Sequence, residues 1–365
     1  MSAFVLEHQD YLKDLVETAS VTGDEVRVAA KVKDFASQYT QDITTDIMGS
    51  VHISLQGTNP SAPSVLLSAH MDEIGLMVTF ISDEGFLSVA AVGGVDAAIL
   101  PGMRVDVHTQ SGTYRGIVGR KPIHLIEPDE RKNITPLDKL VIDLGMPSEQ
   151  VQKLVRVGDL ISFGVGFELF GDTMAVSKSF DDKAGVWVMS RVLELLAKAG
   201  GAQSHFYGLA STQEEIGVRG ALVGAHLLNT QVALAFYVTH ATDYPGIDKS
   251  KYGRISCGGG PVIARGPNIN PVVFDRLCKA ADDLGIAYQI EAEPGVTGTD
   301  ARVLQVERGG RACGLVSVPL RYMHTPNEVL NLKDLEQCAQ VIARFVSDLN
   351  ETIDFIPQLT KGACV

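Results

Sequence analysis

The sequence predicts an α/β protein, with a three-layer α/β/α core on a mainly parallel sheet and a small inserted all-β module. Three observations predict it. Short, almost wholly apolar runs recur along the chain, and helical patterns lie between several of them. The stretch 74–165 instead carries short β-type segments with few helices. Apolar runs of this kind mark strands covered on both faces, and their alternation with helices marks a parallel sheet.

The N-terminal segment reads as two helices. Thr22-Gly-Asp-Glu25 has the spacing of a capping box, and Val28, Val32 and Phe35 beyond it hold a helical stripe. The first buried strand is Val65-Leu-Leu-Ser-Ala69. Leu76–Ile81, a Gly85-bearing turn and Phe86–Val89 form a hairpin, followed by β-type pieces at 103–108, 114–118 and 159–163. Further buried runs lie at 205–211, 232–238 and 314–318, with helical stretches at 183–198 and 332–349. In the last of these Leu335, Cys338, Ile342, Phe345 and Leu349 keep the helical period. A chain of 365 residues exceeds what one core usually organises. We therefore read an interrupted α/β domain at 1–73 and 166–365 and an insertion at 74–165.

The net charge of −13 argues against nucleic acid and anionic membrane surfaces, both polyanions. No apolar run approaches the roughly 20 residues of a membrane-spanning helix, and the opening MSAFVLEHQD has no secretory pattern. Cys257, Cys278, Cys313, Cys338 and Cys364 lack a CxxC pair, which suits buried thiols in a reducing cytoplasm. Gly258-Gly-Gly-Pro261 lacks the Gly-Lys-Ser/Thr ending of a phosphate loop and reads as a tight turn.

The chemistry is concentrated where strands end. The buried runs lead into His70-Met-Asp72, Gln213-Glu214-Glu215, His240-Ala-Thr-Asp243 and Arg321-Tyr-Met-His324, while Asp181-Asp182 precedes a helix. Open α/β sheets bind ligands beyond the carboxyl ends of their strands. Each group alone has a plainer explanation, such as a helix cap, a solvated turn or a core imidazole. Together they crowd carboxylates that repel unless cations neutralise them, and a pair of divalent metals meets that need. Two ions carry +4; three carboxylates leave +1 for a bound hydroxide. Imidazole and carboxylate donors suit Zn, Co or Mn. Of Glu214 and Glu215, one can bind metal while the other faces the water as general base. Asp72, two residues after His70 in extended chain, can orient the imidazole.

His70-Met-Asp72-Glu-Ile-Gly, Ser179-Phe-Asp-Asp-Lys-Ala-Gly185, Thr212-Gln-Glu-Glu-Ile-Gly-Val-Arg-Gly-Ala221, Thr297-Gly-Thr-Asp-Ala301 and Arg321-Tyr-Met-His-Thr-Pro-Asn-Glu328 together resemble the M42 family of metallo-aminopeptidases. That family includes glutamyl and deblocking aminopeptidases and the TET peptidases. The resemblance runs in order to about residue 350. It implies a binuclear zinc-peptidase-like catalytic domain, with an inserted PDZ-like barrel for oligomerisation and substrate access. It further implies two divalent ions per subunit. One would be held by His70, Asp181 and Asp243 and the other by Asp181, Glu215 and His324, Asp181 bridging and Glu214 acting as general base and acid. Gly298–Ala301 becomes a wall of the active site, and His240 has no assigned role. The expected activity is cytosolic removal of N-terminal residues from short peptides. The expected assembly is a homo-oligomer of twelve subunits. Two alternatives differ in kind: a glucanase-type hydrolase, which needs no two-His metal site, and a non-catalytic protein on the same scaffold.

Overall fold

The computed structural model describes residues 4–128 and 130–358. The four apolar runs are strands: Phe206–Ser211, Val65–His70, Val232–His240 and Ala312–Arg321. They lie side by side in that order, all parallel. Val65–His70 is buried along its whole length, as the absence of polar alternation requires. Among the described residues the sheet has 11 strands and is mixed, because antiparallel strands flank the parallel centre. Ile43–Thr45 and Val51–Leu55 extend one side; Glu328–Asn331, Met174–Ser177 and Glu168–Phe170 extend the other. Val262–Arg265 and Gln289–Ala292 form a branch off Ala312–Arg321.

Helices cover the parallel centre. Phe180–Lys198 packs on Val65–His70, Val232–His240 and the helix Leu332–Ser347. Arg219–Leu227 and Ala301–Leu304 pack on one another and on the central strands. Leu332–Ser347 buries Leu335, Cys338, Ile342 and Phe345, the stripe its sequence period predicts. A further helix, Pro271–Leu284, was not read from its periodicity. Its signals are at its ends: Asn270 Oδ1 accepts from the N–H groups of Val272 and Val273, and Gly285 closes it at φ +64°.

The insertion is a closed barrel of six strands, in the order Gly75–Ile81, Leu87–Val92, Val141–Asp143, Gly112–Gly119, Arg104–Thr109, Leu160–Phe163. Leu76, Val105, Val107, Ile142 and Ile161 fill its interior, a cluster separate from the main core. Each such side chain contributes about 1.5–3 kcal/mol on burial, and the barrel has a core of its own.

The capping box does not form. The helix begins at Val26 after Glu25, and the Thr22 hydroxyl instead donates to Asp72 Oδ2 at 2.8 Å. The glycine loop is a turn: Gly258 N–H and Gly260 N–H donate to Asp334 at 2.6 and 3.0 Å, so its donors serve the protein's own carboxylate. Cys313 and Cys338 are buried, while Cys257 and Cys278 are half-buried; all four are free thiols. Cys364 lies outside the described residues. Among the described residues no helix is long and apolar enough to cross a membrane.

Candidate metal centre

Four of the expected ligands converge at the carboxyl edge of the parallel strands. His70 is the last residue of Val65–His70. Asp181 lies at the start of Phe180–Lys198, where neither it nor Asp182 has helical dihedrals. Glu215 follows the end of Phe206–Ser211, and His324 follows the end of Ala312–Arg321. His70 Nε2 is 3.1 Å from Asp181 Oδ1, and His324 Nε2 is 3.2 Å from Asp181 Oδ2. His324 Nε2 is also 3.5 Å from Glu215 Oε1. One donor atom each from His70, Asp181 and Glu215 lie within 4.8 Å of one another. Asp181 therefore faces an imidazole with each of its oxygens. Glu214 Oε2 stands 3.9 Å from His70 Nε2, at the margin of the group.

Neighbouring residues hold this arrangement by the backbone. Asp72 is fully buried. It accepts from Glu214 N–H at 3.0 Å and Glu215 N–H at 3.2 Å, fixing the two glutamates as a pair. His70 Nδ1 lies 3.2 Å from the Asp72 main-chain oxygen and 3.4 Å from its Oδ1. Glu328, whose role sequence reasoning missed, is buried and accepts from Asp181 N–H at 3.1 Å and His324 N–H at 3.0 Å. His324 Nδ1 donates to the Gly94 carbonyl at 3.2 Å, a contact from a barrel loop. Ser179, Gln213, Tyr322 and His324 all have φ between 54° and 63°. Left-handed backbone at non-glycine residues costs on the order of 1 kcal/mol or more each, and here it borders the centre on three sides.

The electrostatics follow from packing acids together. Burial, then the neighbouring acids, pushes Glu214 up to about 7. Burial, then Asp181, pushes Glu215 up to about 8. Burial would also raise Asp181, but hydrogen bonds from His324 and His70 hold it far below the carboxylate range. His324 rises to about 9, chiefly through its bond to Asp181. The cluster thus retains protons wherever it lacks positive charge, and a divalent cation is the other way to neutralise it.

Beside the group lies a cavity of about 330 Å³ whose walls include Glu214, Tyr237, Glu291, Glu293, Gly298 and Met323, with no Lys or Arg among the described residues. His240 lines it too. Asp243 is not brought to the group. It lies three residues past the end of Val232–His240, where Arg321 clamps both its oxygens at 2.8 and 2.7 Å and Cys257 N–H donates to it at 3.0 Å. Arg321 and Cys257 together take most of the acceptor positions of this carboxylate and pair its charge with a guanidinium rather than with the imidazoles. Sequence spacing placed Asp243 at a strand end, but nothing in it revealed that the strand also ends beside Arg321. Asp182 faces inward without the two imidazoles; its Oδ2 is buried and has no hydrogen-bond partner.

A family model described as M42 glutamyl aminopeptidase matches residues 49–341. The chain belongs to that family. A lysyl aminopeptidase of Pyrococcus furiosus is 32% identical over 95% of this M42 chain and 99% of its own length. A TET aminopeptidase from a marine sediment archaeon of the Thaumarchaeota superposes with a TM-score of 0.88 at 31% identity, covering 93% of this chain and 95% of that one. A Pyrococcus horikoshii TET1 peptidase, described as assembling into a tetrahedron or a large octahedral shell, gives 0.81 at 28% identity over 93% and 99%. A structure from Thermotoga maritima described as an endoglucanase gives 0.74 at 29% identity over 93% and 97%. This M42 chain is a peptidase of the aminopeptidase kind, and its family implies divalent metal. His70, Asp181, Glu215 and His324 present the nitrogen and oxygen donors such an ion takes.

Proposed function

We propose that this M42 chain removes N-terminal residues from short peptides by metal-assisted hydrolysis, with Glu214 as general base and acid. One observation carries the reading: His70, Asp181, Glu215 and His324 meet beside a cavity that also holds Glu214. Asp181, Glu215 and His324 would hold a divalent ion (Zn, Co or Mn). His70 and Asp181 are two of the three donors expected for a second ion. Such an ion, when bound, polarises a carbonyl and lowers the pKa of water. Glu214 adds what its own position allows. It is held by Asp72 through its backbone and leans into the cavity, where it can take a proton from an attacking water and return it to the leaving amine. Asp72 acts through others, keeping the glutamate pair and His70 in register.

The cavity favours a cationic first residue, because Glu291 and Glu293 line it and among the described residues no Lys or Arg does. The Pyrococcus relative named for lysyl substrates agrees with this preference. We further propose that 1–73 and 166–365 act as the catalytic domain. In this reading 74–165 is an oligomerisation and substrate-access domain, in a homo-oligomer of twelve subunits. The shell-forming Pyrococcus horikoshii neighbour supports the assembly. Free thiols at the described cysteines support a cytoplasmic setting. The glucanase alternative is less supported, since the matching family model is a peptidase one.

The test is Glu214→Gln assayed with aminoacyl-nitroanilides. We expect kcat to fall about 10²–10⁴-fold with metal content unchanged. Metal lost together with activity would remove Glu214 from the role. Wild-type activity that survives a strong chelator would instead favour the glucanase-type or another metal-free reading.

A further inference from the structure

The donors on the two sides of Asp181 are unequal. On one side His324 and Glu215 complete a three-residue set with it. On the other stands His70, and the third donor expected there, Asp243, belongs to the segment that follows the adjoining strand Val232–His240. Register identifies which residue that strand supplies. Ala235 pairs with Ser68, and two residues further along each strand lie Tyr237 and His70, on the same face of the sheet. Their ring centroids are 5.3 Å apart. The strand therefore delivers a phenol where a carboxylate was expected.

That phenol is not free to ligate. Its hydroxyl donates to Asp300 Oδ1 at 2.9 Å and accepts from Asp300 N–H at 3.0 Å. Asp300 Oδ2 in turn accepts from the hydroxyls of Ser68 at 2.6 Å and Ser211 at 3.2 Å. Asp300 and Ser68 are fully buried, and the four side chains close a network with its donors and acceptors matched. Asp243, the carboxylate expected in this place, is spent on Arg321.

We infer that each subunit holds one divalent ion firmly, at Asp181, Glu215 and His324, and that Tyr237 with Asp300 closes the position beside His70 to a second. The inference rests on the metal-dependent reading and narrows it. Removing an outer-shell partner of a ligand already costs 10–100-fold in metal affinity, so a missing direct donor weakens the second equivalent by about 100-fold or more.

The experiment is zinc stoichiometry of the assembled full-length protein, by native mass spectrometry and by elemental analysis after dialysis. We expect one tight equivalent per subunit in wild type, none in His324→Ala, and one retained in His70→Ala and Asp243→Asn. Tyr237→Asp should admit a second equivalent. If that variant does not fold, the wild-type, His70 and Asp243 counts decide the matter. Two tight equivalents in wild type, or loss of the tight equivalent in His70→Ala or Asp243→Asn, overturns the inference while leaving metal dependence standing. No tight zinc at all overturns the metal-dependent reading itself, and the inference with it.

Discussion

Replacing Gly94 by Ala tests whether the inserted barrel sets the geometry of the metal centre. Gly94 follows the barrel strand Leu87–Val92, and its carbonyl accepts the Nδ1 proton of His324. That bond presents Nε2 to Asp181 and Glu215, at 3.2 and 3.5 Å. A Cβ on residue 94 would stand 2.8 Å from His324 Nδ1 and 3.2 Å from Cε1, well inside ordinary contact. The ring must retreat by a few tenths of an ångström, because the clash is with imidazole atoms rather than the tip of a flexible chain. Ligand positions around a metal tolerate only about ±0.2 Å. The expected loss is that of disturbing a ligand's outer partner, 10–100-fold in affinity or about 1.4–2.7 kcal/mol. Calorimetric titration of Zn into metal-free protein measures it, with circular dichroism checking that the fold is kept. An unchanged Kd in a folded Gly94→Ala protein would refute the idea that the barrel loop positions His324.

Other expectations come from different parts of the molecule. Lysyl- and arginyl-nitroanilides should be cleaved with kcat/KM about tenfold or more above the glutamyl substrate, and Glu291→Gln should shrink that ratio; equal rates on Lys and Glu would remove the acidic wall from specificity. Glu73 is buried between Lys178, at 2.5 Å, and Lys183, at 3.3 Å, so Glu73→Gln should cost about 3–5 kcal/mol in denaturant titration by leaving buried cations unpaired. Burial alone would raise Glu73, but the two lysines hold it at about 2. A depressed carboxylate stabilises above its unfolded value and loses that contribution as pH falls. The gap between wild type and Glu73→Gln should therefore persist above about pH 4.5 and close toward pH 2. A gap that widened on acidification would contradict the pairing.

The central sheet was legible because burial on both faces writes itself as continuous apolar sequence, as in Val65-Leu-Leu. Its flanks were not. Ile43–Thr45 and Glu168–Phe170 are short and largely exposed, so no hydrophobic period marks them. The metal-centre residues could be nominated from strand ends, since topology carries those ends to one edge. Two things decided by side-chain competition could not. Asp243 looked equivalent to its neighbours until Arg321 reached it first. Thr22 looked like a cap until Asp72 did. Tyr237 passed as one more core aromatic in Val232–Val238, because sequence gives its burial and not its register against His70.

The centre is tied down through the main chain. Asp72 and Glu328 are both buried acids, and each accepts backbone N–H bonds, from Glu214 and Glu215 in one case and Asp181 and His324 in the other. Side-chain contacts alone would let the repelling carboxylates of Asp181, Glu214 and Glu215 swing apart. Bonds to the main chain do not, because they hold the residues whose left-handed neighbours already fix the loop path. The same four residues come from three separate segments, around 181, 214–215 and 324, so the ties join parts of the chain far apart in sequence. The donors are therefore held through the protein's own buried carboxylates. Those ties explain why the His70 side can lose a donor without disturbing the other. Asp181 and His324 are held by Glu328, and Glu215 by Asp72, none of them through Tyr237.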